Sequence, residues 1–290
     1  MPSISWGKVL NQTSYLTRGL RWGALAFLGL VGFLIVLLIF PLAGAKIRRD
    51  LIAFWSRSVL RALGVKVEAD LRYLTPGALV VANHISWIDI FVISSVLPVA
   101  FISKAEVRQW PIVGWLAAKN HTVFLRRGSR GHAREIGLQI TSLLAAKRYV
   151  AVFPEGTTTD GTHVQHFHAA LIQPALAEGY PVLPLAISYW EPNGERSLAP
   201  RYDGDISLGE CTRAILGRKR LVASVISTPV LGLAGEDRKQ VAAAARQAIT
   251  LAVGLPLPSM SPEITAGLPD AAQLNALPTN SRNQAPADWA

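Results

Sequence analysis

The chain has 290 residues, half of them hydrophobic, and its 29 lysine and arginine residues against 19 aspartate and glutamate residues give a formal net charge of +10. Its single cysteine, Cys211, excludes an internal disulfide framework and a metal site built from several thiolates. The basic charge suits anionic membrane lipids and acidic proteins, whereas the cations are scattered without a nucleic-acid-binding motif, so we expect no nucleic-acid partner.

A membrane segment is predicted near the N-terminus. Residues 1–21 form a basic segment, and residues 22–44 contain no charged side chain. At about 1.5 Å per helical residue, this stretch is long enough to cross a bilayer. Ala43-Gly44-Ala45 is typical of a signal-peptide cleavage site, but the apolar run exceeds the roughly 7 to 15 residues of a signal core, which favours a retained anchor. Basic residues flank both ends nearly equally, so a single span stays open beside a bent or re-entrant hairpin, which Gly29, Gly32 and Pro41 would permit.

The next region, residues 45–253, alternates apolar strand-like runs with helical patterns and predicts one α/β domain. The predicted strands are 65–69, 78–82, 99–103, 122–125, 149–153, 182–188 and 221–227, and the predicted helices are 52–63, 132–147 and 236–251. In the helix 132–147, Ile136, Ile140, Leu143 and Leu144 share one face and are expected in the core. Residues 254–290 are rich in Pro, Ser, Asn and Ala without periodicity, which predicts a disordered tail.

A histidine and a carboxylate stand five positions apart directly behind the predicted strand 78–82, in the sequence Asn83-His84-Ile85-Ser86-Trp87-Ile88-Asp89. We expect His84 at the carboxyl end of the strand, where open α/β sheets bind ligands, and Asp89 in the first turn of a helix. Such a turn brings the carboxylate back to the imidazole, fixes its tautomer and leaves the other nitrogen free to accept a proton. We interpret His84 and Asp89 as a catalytic pair, with a capped turn as the alternative.

A second short motif, Val152-Phe153-Pro154-Glu155-Gly156-Thr157, follows another predicted strand. Together with Phe124-Leu125-Arg126-Arg127 and Val182-Leu183-Pro184-Leu185, the two motifs resemble, in order, the four sequence blocks of the glycerolipid acyltransferase family, whose bacterial type is 1-acylglycerol-3-phosphate acyltransferase. The resemblance covers roughly residues 50–230. Four motifs in the family's order are specific, although each alone is weak.

The resemblance implies an α/β fold with a mixed sheet flanked by helices and an N-terminal membrane helix or hairpin. It implies transfer of a fatty acyl group from acyl-acyl carrier protein or acyl-coenzyme A, as co-substrate, to the hydroxyl of a lysolipid, with 1-acylglycerol-3-phosphate as the first candidate acceptor. It implies catalysis by His84 and Asp89 and substrate binding by a second group of residues, Arg127, Glu155, Gly156 and Thr157. It also implies the bacterial inner (cytoplasmic) membrane, with the active site facing the cytoplasm.

The third block departs from the family pattern. Thr158 and Thr159 stand where an arginine is usual, and His166-Phe167-His168 replaces a usual lysine. Each lost cation removes a charge-assisted contact to a phosphate. A threonine-rich third block also resembles the lyso-ornithine lipid O-acyltransferase branch of the family, so lyso-ornithine lipid is the alternative acceptor.

Two other classes of function stay open, a lipid-ester hydrolase and a non-enzymatic membrane adaptor. The chain has no G-x-S-x-G motif, which argues against a serine hydrolase, and we expect the hydroxyl of Ser86 to bond the turn backbone. His163, His166 and His168 lie near Asp160, but loop histidines without matching ligands are weak signals, so we predict no metal site and no cofactor beyond the acyl donor.

Overall fold

The computed structural model of the chain describes residues 11–104, 123–125, 130–232 and 236–255. The strands are β1 (Val65–Asp70), β2 (Leu79–Ala82), β3 (Val99–Lys104), β4 (Val123–Leu125), β5 (Tyr149–Val152), β6 (Val182–Trp190) and β7 (Leu221–Ser227). The α-helices of the described part are α1 (Tyr15–Leu34), α2 (Ala45–Leu63), α3 (Asp89–Val96), α4 (Arg130–Ala145), α5 (Gln173–Ala177), α6 (Leu208–Leu216) and α7 (Arg238–Ala252).

The seven strands form one sheet in the order β1-β7-β6-β2-β5-β3-β4. Neighbouring strands are parallel except for β6 and β7, which pair antiparallel, so the sheet is mixed as expected. Every predicted strand is present in the described part of the chain, with ends that move by a residue or two. The helix predicted at 52–63 begins earlier, at Ala45, and the other two predicted helices correspond to α4 and α7.

The centre of the sheet is covered on both faces, which explains why β2 and β5 read as unbroken apolar runs: every residue of both strands is buried. One core cluster includes Leu60 of α2 and Val92 of α3, and the other includes Ile140 of α4 and Ile249 of α7. The expected core face of α4 is confirmed, because Ile136, Ile140 and Leu144 are buried and Leu143 packs against them.

The membrane-length helix starts earlier than the sequence pattern predicts. A π-helical turn, Ile35–Ile39, extends α1, and the resulting helix of 25 residues, Tyr15–Ile39, is the one helix in the described ranges that is long and apolar enough to cross a bilayer. The helix differs in its bounds from the predicted anchor at 22–44, because α1 also takes in Arg18 and Arg21, and the extent of the anchor in a membrane stays a prediction. The predicted tail lies outside the described residues beyond Leu255.

The chain turns after Phe40, and α2 returns along α1 in the opposite direction. The indole Nε1 of Trp55 in α2 donates a hydrogen bond to the carbonyl of Leu28 at 2.8 Å. The same indole lies against Gly32, where an added Cβ would be 2.7 Å from a ring carbon. The turn between them contains Pro41, and the two helices form a helical hairpin in the fold, whereas a single span and a re-entrant hairpin in the membrane both stay predictions.

We expect Gly32→Leu to destabilise the hairpin, because the new side chain would overlap the Trp55 indole. Overpacking of this kind costs about 1–3 kcal/mol. Gly29→Leu is the matched control on the same helix, since nothing lies within 4 Å of a Cβ built there. Thermal unfolding of the detergent-solubilised variants measures both effects, and equal melting temperatures would contradict the close packing of α1 and α2.

Candidate active site

His84 and Asp89 meet at the carboxyl end of β2, as predicted. His84 follows the strand closely, and Asp89 is the first residue of α3. The Asp89 carboxylate is completely buried, and its Oδ2 lies 2.8 Å from His84 Nδ1. The same oxygen accepts backbone N–H bonds from Ile85 at 2.7 Å and Ser86 at 2.9 Å. The tight turn between strand and helix therefore folds around this carboxylate.

The second carboxylate oxygen of Asp89 accepts a hydrogen bond from the hydroxyl of Tyr189 in β6. Tyr189 is fully buried, and this burial together with the charge of Asp89 raises the pKa of the phenol well above its usual value, so the hydroxyl remains a donor. Since Asp89 accepts from all its other partners, His84 Nδ1 carries the proton that points at it. His84 Nε2 is then the basic nitrogen.

The ring of His84 is held by an aromatic contact as well. It stacks on Phe153, with centroids 4.0 Å apart and planes inclined by 11°, and Phe153 in turn stacks on Phe101 of β3. The His84 side chain is 20% exposed, so substrate can reach it although its carboxylate partner is sealed. This face-on contact fixes the plane of the imidazole.

Glu155 joins the second motif to the first. It is buried, and its two carboxylate oxygens accept backbone N–H bonds from His84 at 2.7 Å and from Gln165 at 2.8 Å. Burial raises the pKa of Glu155, and the hydrogen bonds from Gln165 and His84 oppose that rise. The carbonyl of His84 accepts the N–H of Thr159 at 2.9 Å, so the third block holds both sides of the His84 backbone.

Asn83, the residue before the histidine, joins the end of β2 to β6 by hydrogen bonds. Its side-chain amide donates to the carbonyl of Ile187 at 2.9 Å and accepts the N–H of the same residue at 2.8 Å. This two-bond contact substitutes for strand pairing where β2 has ended. Sequence reasoning gave Asn83 no role, although it stands within the first motif.

The other predicted binding residues differ in their conformation, exposure and place in the described structure. Gly156 adopts φ 70°, a left-handed conformation that favours glycine, and its N–H bonds the carbonyl of Phe153 at 3.1 Å. Thr157 is exposed beside it. Arg127 lies outside the described residues. The substrate-binding roles of Arg127, Glu155, Gly156 and Thr157 stay predictions, and both oxygens of Glu155 already bond backbone groups.

Thr158, which replaces the usual arginine of the third block, has a structural contact. Its hydroxyl donates to the carbonyl of Tyr202, and the N–H of Tyr202 donates to the carbonyl of Ile85 at 3.0 Å. The threonine thus ties the loop before α6 to the turn of the first motif.

Ser86 differs from its predicted role. The residue is completely buried, and its hydroxyl contacts the Sγ of Cys211 at 3.8 Å rather than the turn backbone. Burial also raises the pKa of the Cys211 thiol to about 11. Neither group has the exposure or the ionisation of a nucleophile.

The histidines after the third block do not form a metal cluster in the described ranges, where no group of three or more His, Cys, Asp or Glu residues has a suitable arrangement. His163 Nδ1 lies 3.4 Å from an oxygen of Asp160, whereas His166 and His168 contact each other edge to face.

Comparison with known proteins shows that the similarity to acyltransferases extends beyond the four motifs. The family model described as Acyltransferase matches residues 64–188. The lyso-ornithine lipid O-acyltransferase of Pseudomonas aeruginosa is 38% identical over 207 residues, which cover 71% of this chain and 80% of the relative. The 1-acyl-sn-glycerol-3-phosphate acyltransferase of Neisseria meningitidis is 37% identical over 185 residues, which cover 63% and 72%.

The fold also matches a solved structure. The crystal structure of the 1-acyl-sn-glycerophosphate acyltransferase of Thermotoga maritima aligns with a TM-score of 0.55 at 22% identity, over 82% of this chain and all of that chain. With the matching family model, the identity to relatives and the paired motifs at the end of β2, the chain belongs to the acyltransferase family.

Proposed function

We propose that the protein moves a fatty acyl group from an acyl thioester to the hydroxyl of a lysolipid. The observation that carries this function is the His84–Asp89 pair, in which a buried carboxylate orients a partly exposed imidazole. Membership of the acyltransferase family and the membrane-length helix α1 support it.

In the proposed reaction, His84 Nε2 takes the proton of the acceptor hydroxyl as the hydroxyl oxygen attacks the thioester carbonyl carbon. The tetrahedral intermediate then collapses, the carbon–sulfur bond breaks, and the thiolate leaves with the proton returned by His84. Asp89 stabilises the imidazolium that forms between these steps. An ester and a free thiol are the products, and no covalent acyl-enzyme is required.

The surroundings of His84 favour direct transfer over the two other classes of function. The hydroxyl of Ser86 is buried away from solvent, which disfavours a serine hydrolase. A non-enzymatic adaptor has no need of a buried charge that accepts hydrogen bonds from His84, Tyr189 and the turn backbone, because burying a carboxylate is costly.

For the acceptor, we propose 1-acylglycerol-3-phosphate first and lyso-ornithine lipid second. The specific observation that favours the second is Thr158, a neutral residue whose hydroxyl is directed to the Tyr202 carbonyl where a cation for phosphate is usual. Named relatives with both specificities are similar to this chain to nearly the same degree.

We place the protein at the bacterial inner membrane, with its active site on the cytoplasmic side. The acyl donors that we propose, acyl-acyl carrier protein or acyl-coenzyme A, are water-soluble thioesters of the cytoplasm. The net charge of +10 would attract both an acidic carrier protein and anionic lipids.

The test of this function is product formation by detergent-purified protein supplied with each acyl donor and a panel of lysolipids. We expect His84→Ala to lower the transfer rate roughly 10²- to 10⁴-fold, the range for a positioned base. Ser86→Ala is the control and keeps transfer activity, because the hydroxyl of Ser86 is buried and its polar contact is with the Cys211 thiol, not with His84 or Asp89.

Acylated lysophosphatidate would establish the first acceptor, and acylated lyso-ornithine lipid the second. Release of free fatty acid alone would replace transfer by hydrolysis. Absence of turnover with every donor and acceptor, in folded protein, would overturn the enzymatic proposal.

We expect Glu155→Gln to lower kcat and leave the acceptor KM nearly unchanged. The glutamine oxygen can accept only one of the two backbone N–H groups that Glu155 now accepts, and an unpaired buried N–H costs about 1–3 kcal/mol. If that energy is lost in the orientation of His84, the rate falls roughly 10- to 100-fold. Glu68→Gln, on exposed β1, is the control. A higher acceptor KM with unchanged kcat would instead make Glu155 a direct substrate contact.

We expect Tyr189→Phe to lower kcat and leave the acceptor KM nearly unchanged, because Asp89 loses a hydrogen-bond donor that fixes the carboxylate orienting His84. The lost hydrogen bond should also lower the free energy of unfolding by about 1–3 kcal/mol. An unchanged kcat in a folded, less stable variant would limit Tyr189 to a structural role.

A further inference from the structure

A cavity of about 600 Å³ lies where the start of α1 meets the outer face of α6. Glu210, Arg213 and Ala214 of α6 line it. On the inner face of the same helix, Cys211 contacts Ser86 of the first motif. The cavity and the catalytic centre are therefore on opposite faces of α6.

Most of the charged residues in the cavity lining are cationic. Three guanidinium groups, those of Arg18, Arg213 and Arg218, face one carboxylate, that of Glu210. Arg218 also has a carboxylate partner behind it, Glu191 at 3.4 Å, which leaves the other two arginines as the main cations. An anion that enters the cavity thus meets a net positive charge.

Arg18 is the residue of α1 that lines this cavity. Its Nε atom is buried and has no hydrogen-bond partner among the residues that the structure describes. The guanidinium also lies over the ring of Tyr15, 5.3 Å from its centroid, which holds the plane of the group. That buried Nε has no accessible surface, so an external acceptor in the cavity would bond the outer nitrogens of the guanidinium, of which Nη2 lies toward Gly217 of the lining.

The surroundings of the cavity point to a lipid as the source of that acceptor. Arg18 belongs to the membrane-length helix, and Arg21, one turn later, holds the helix to the domain through the carbonyls of Arg218 at 2.6 Å and Lys219 at 2.7 Å. At the same end of the helix, the side chains of Tyr15 and Leu16 are 89% and 76% exposed. Cations next to exposed apolar side chains at a helix end match the headgroup level of a bilayer.

We propose that the cavity between α1 and α6 binds the phosphate group of an anionic membrane phospholipid. Arg18 and Arg213 contact the phosphate oxygens, because planar guanidinium groups match phosphate geometry with paired hydrogen bonds. Leu198 and Ala214 of the lining contact the apolar part of the lipid. The bound lipid is not the acyl acceptor, and its binding does not depend on the acyltransferase reaction.

The test is a titration of the detergent-solubilised full chain, followed by native mass spectrometry. The probes are dihexanoylphosphatidylglycerol, dihexanoylphosphatidylcholine and inorganic phosphate. We expect the anionic lipid to bind, and Arg18→Gln with Arg213→Gln to weaken that binding at least tenfold. Arg213→Gln alone, a change on the exposed face of α6, is expected to weaken it by a smaller factor.

The control variant combines Arg238→Gln with Lys239→Gln on exposed positions of α7, so that it loses the same charge elsewhere. It should bind the anionic lipid as the wild-type chain does. Equal weakening in this control would reduce the effect to overall charge and overturn the site. Equal affinity for phosphatidylcholine would overturn the preference for an anionic headgroup, and binding of inorganic phosphate with the same affinity would overturn the lipid as the source.

Discussion

The buried carboxylate of Asp89 is the constraint on which the rest of the active centre depends. An ionised carboxylate out of water is strongly unfavourable unless donors surround it, and here His84, Tyr189 and two backbone N–H groups of the turn supply them. These donors come from the end of β2, the turn before α3 and the distant strand β6. The sheet order places β6 beside β2, although the two strands are far apart in the sequence. The catalytic pair His84 and Asp89 therefore depends on this strand order for the hydrogen bond from Tyr189.

The imidazole is fixed from several directions at once. Its ring is held at Nδ1 by Asp89 and on one face by Phe153, while its backbone is held by Glu155 and Thr159. Orientation that is established before substrate binds does not have to be achieved in the transition state, which is how positioning lowers a barrier. The sequence block around Glu155 serves the histidine in this way through backbone contacts.

The sequence patterns predicted the features that depend on interactions between residues close together in the chain. The strand, turn and helix around His84 and Asp89 could be predicted because five residues suffice to reverse the chain, and the apolar runs of β2 and β5 could be predicted because both faces are buried. Tyr189 could not be predicted, since its contact spans 100 positions and depends on strand order. The start of α1 was missed because Arg18 and Arg21 interrupt the apolar run, whereas in the fold Arg21 bonds backbone carbonyls of the domain.

The attachment of α1 through Arg21 has a mechanical consequence. Since the guanidinium donates hydrogen bonds to the carbonyls of Arg218 and Lys219, just before β7, the start of the helix is held in one orientation against the domain. Successive residues of a helix are offset by about 100° around its axis and about 1.5 Å along it. Insertion of one residue between Arg21 and Gly32 would therefore rotate one end of the helix relative to the other by about 100° around the helix axis. The length of α1 thus sets the rotation of the catalytic domain about the axis of this helix as well as its distance along that axis.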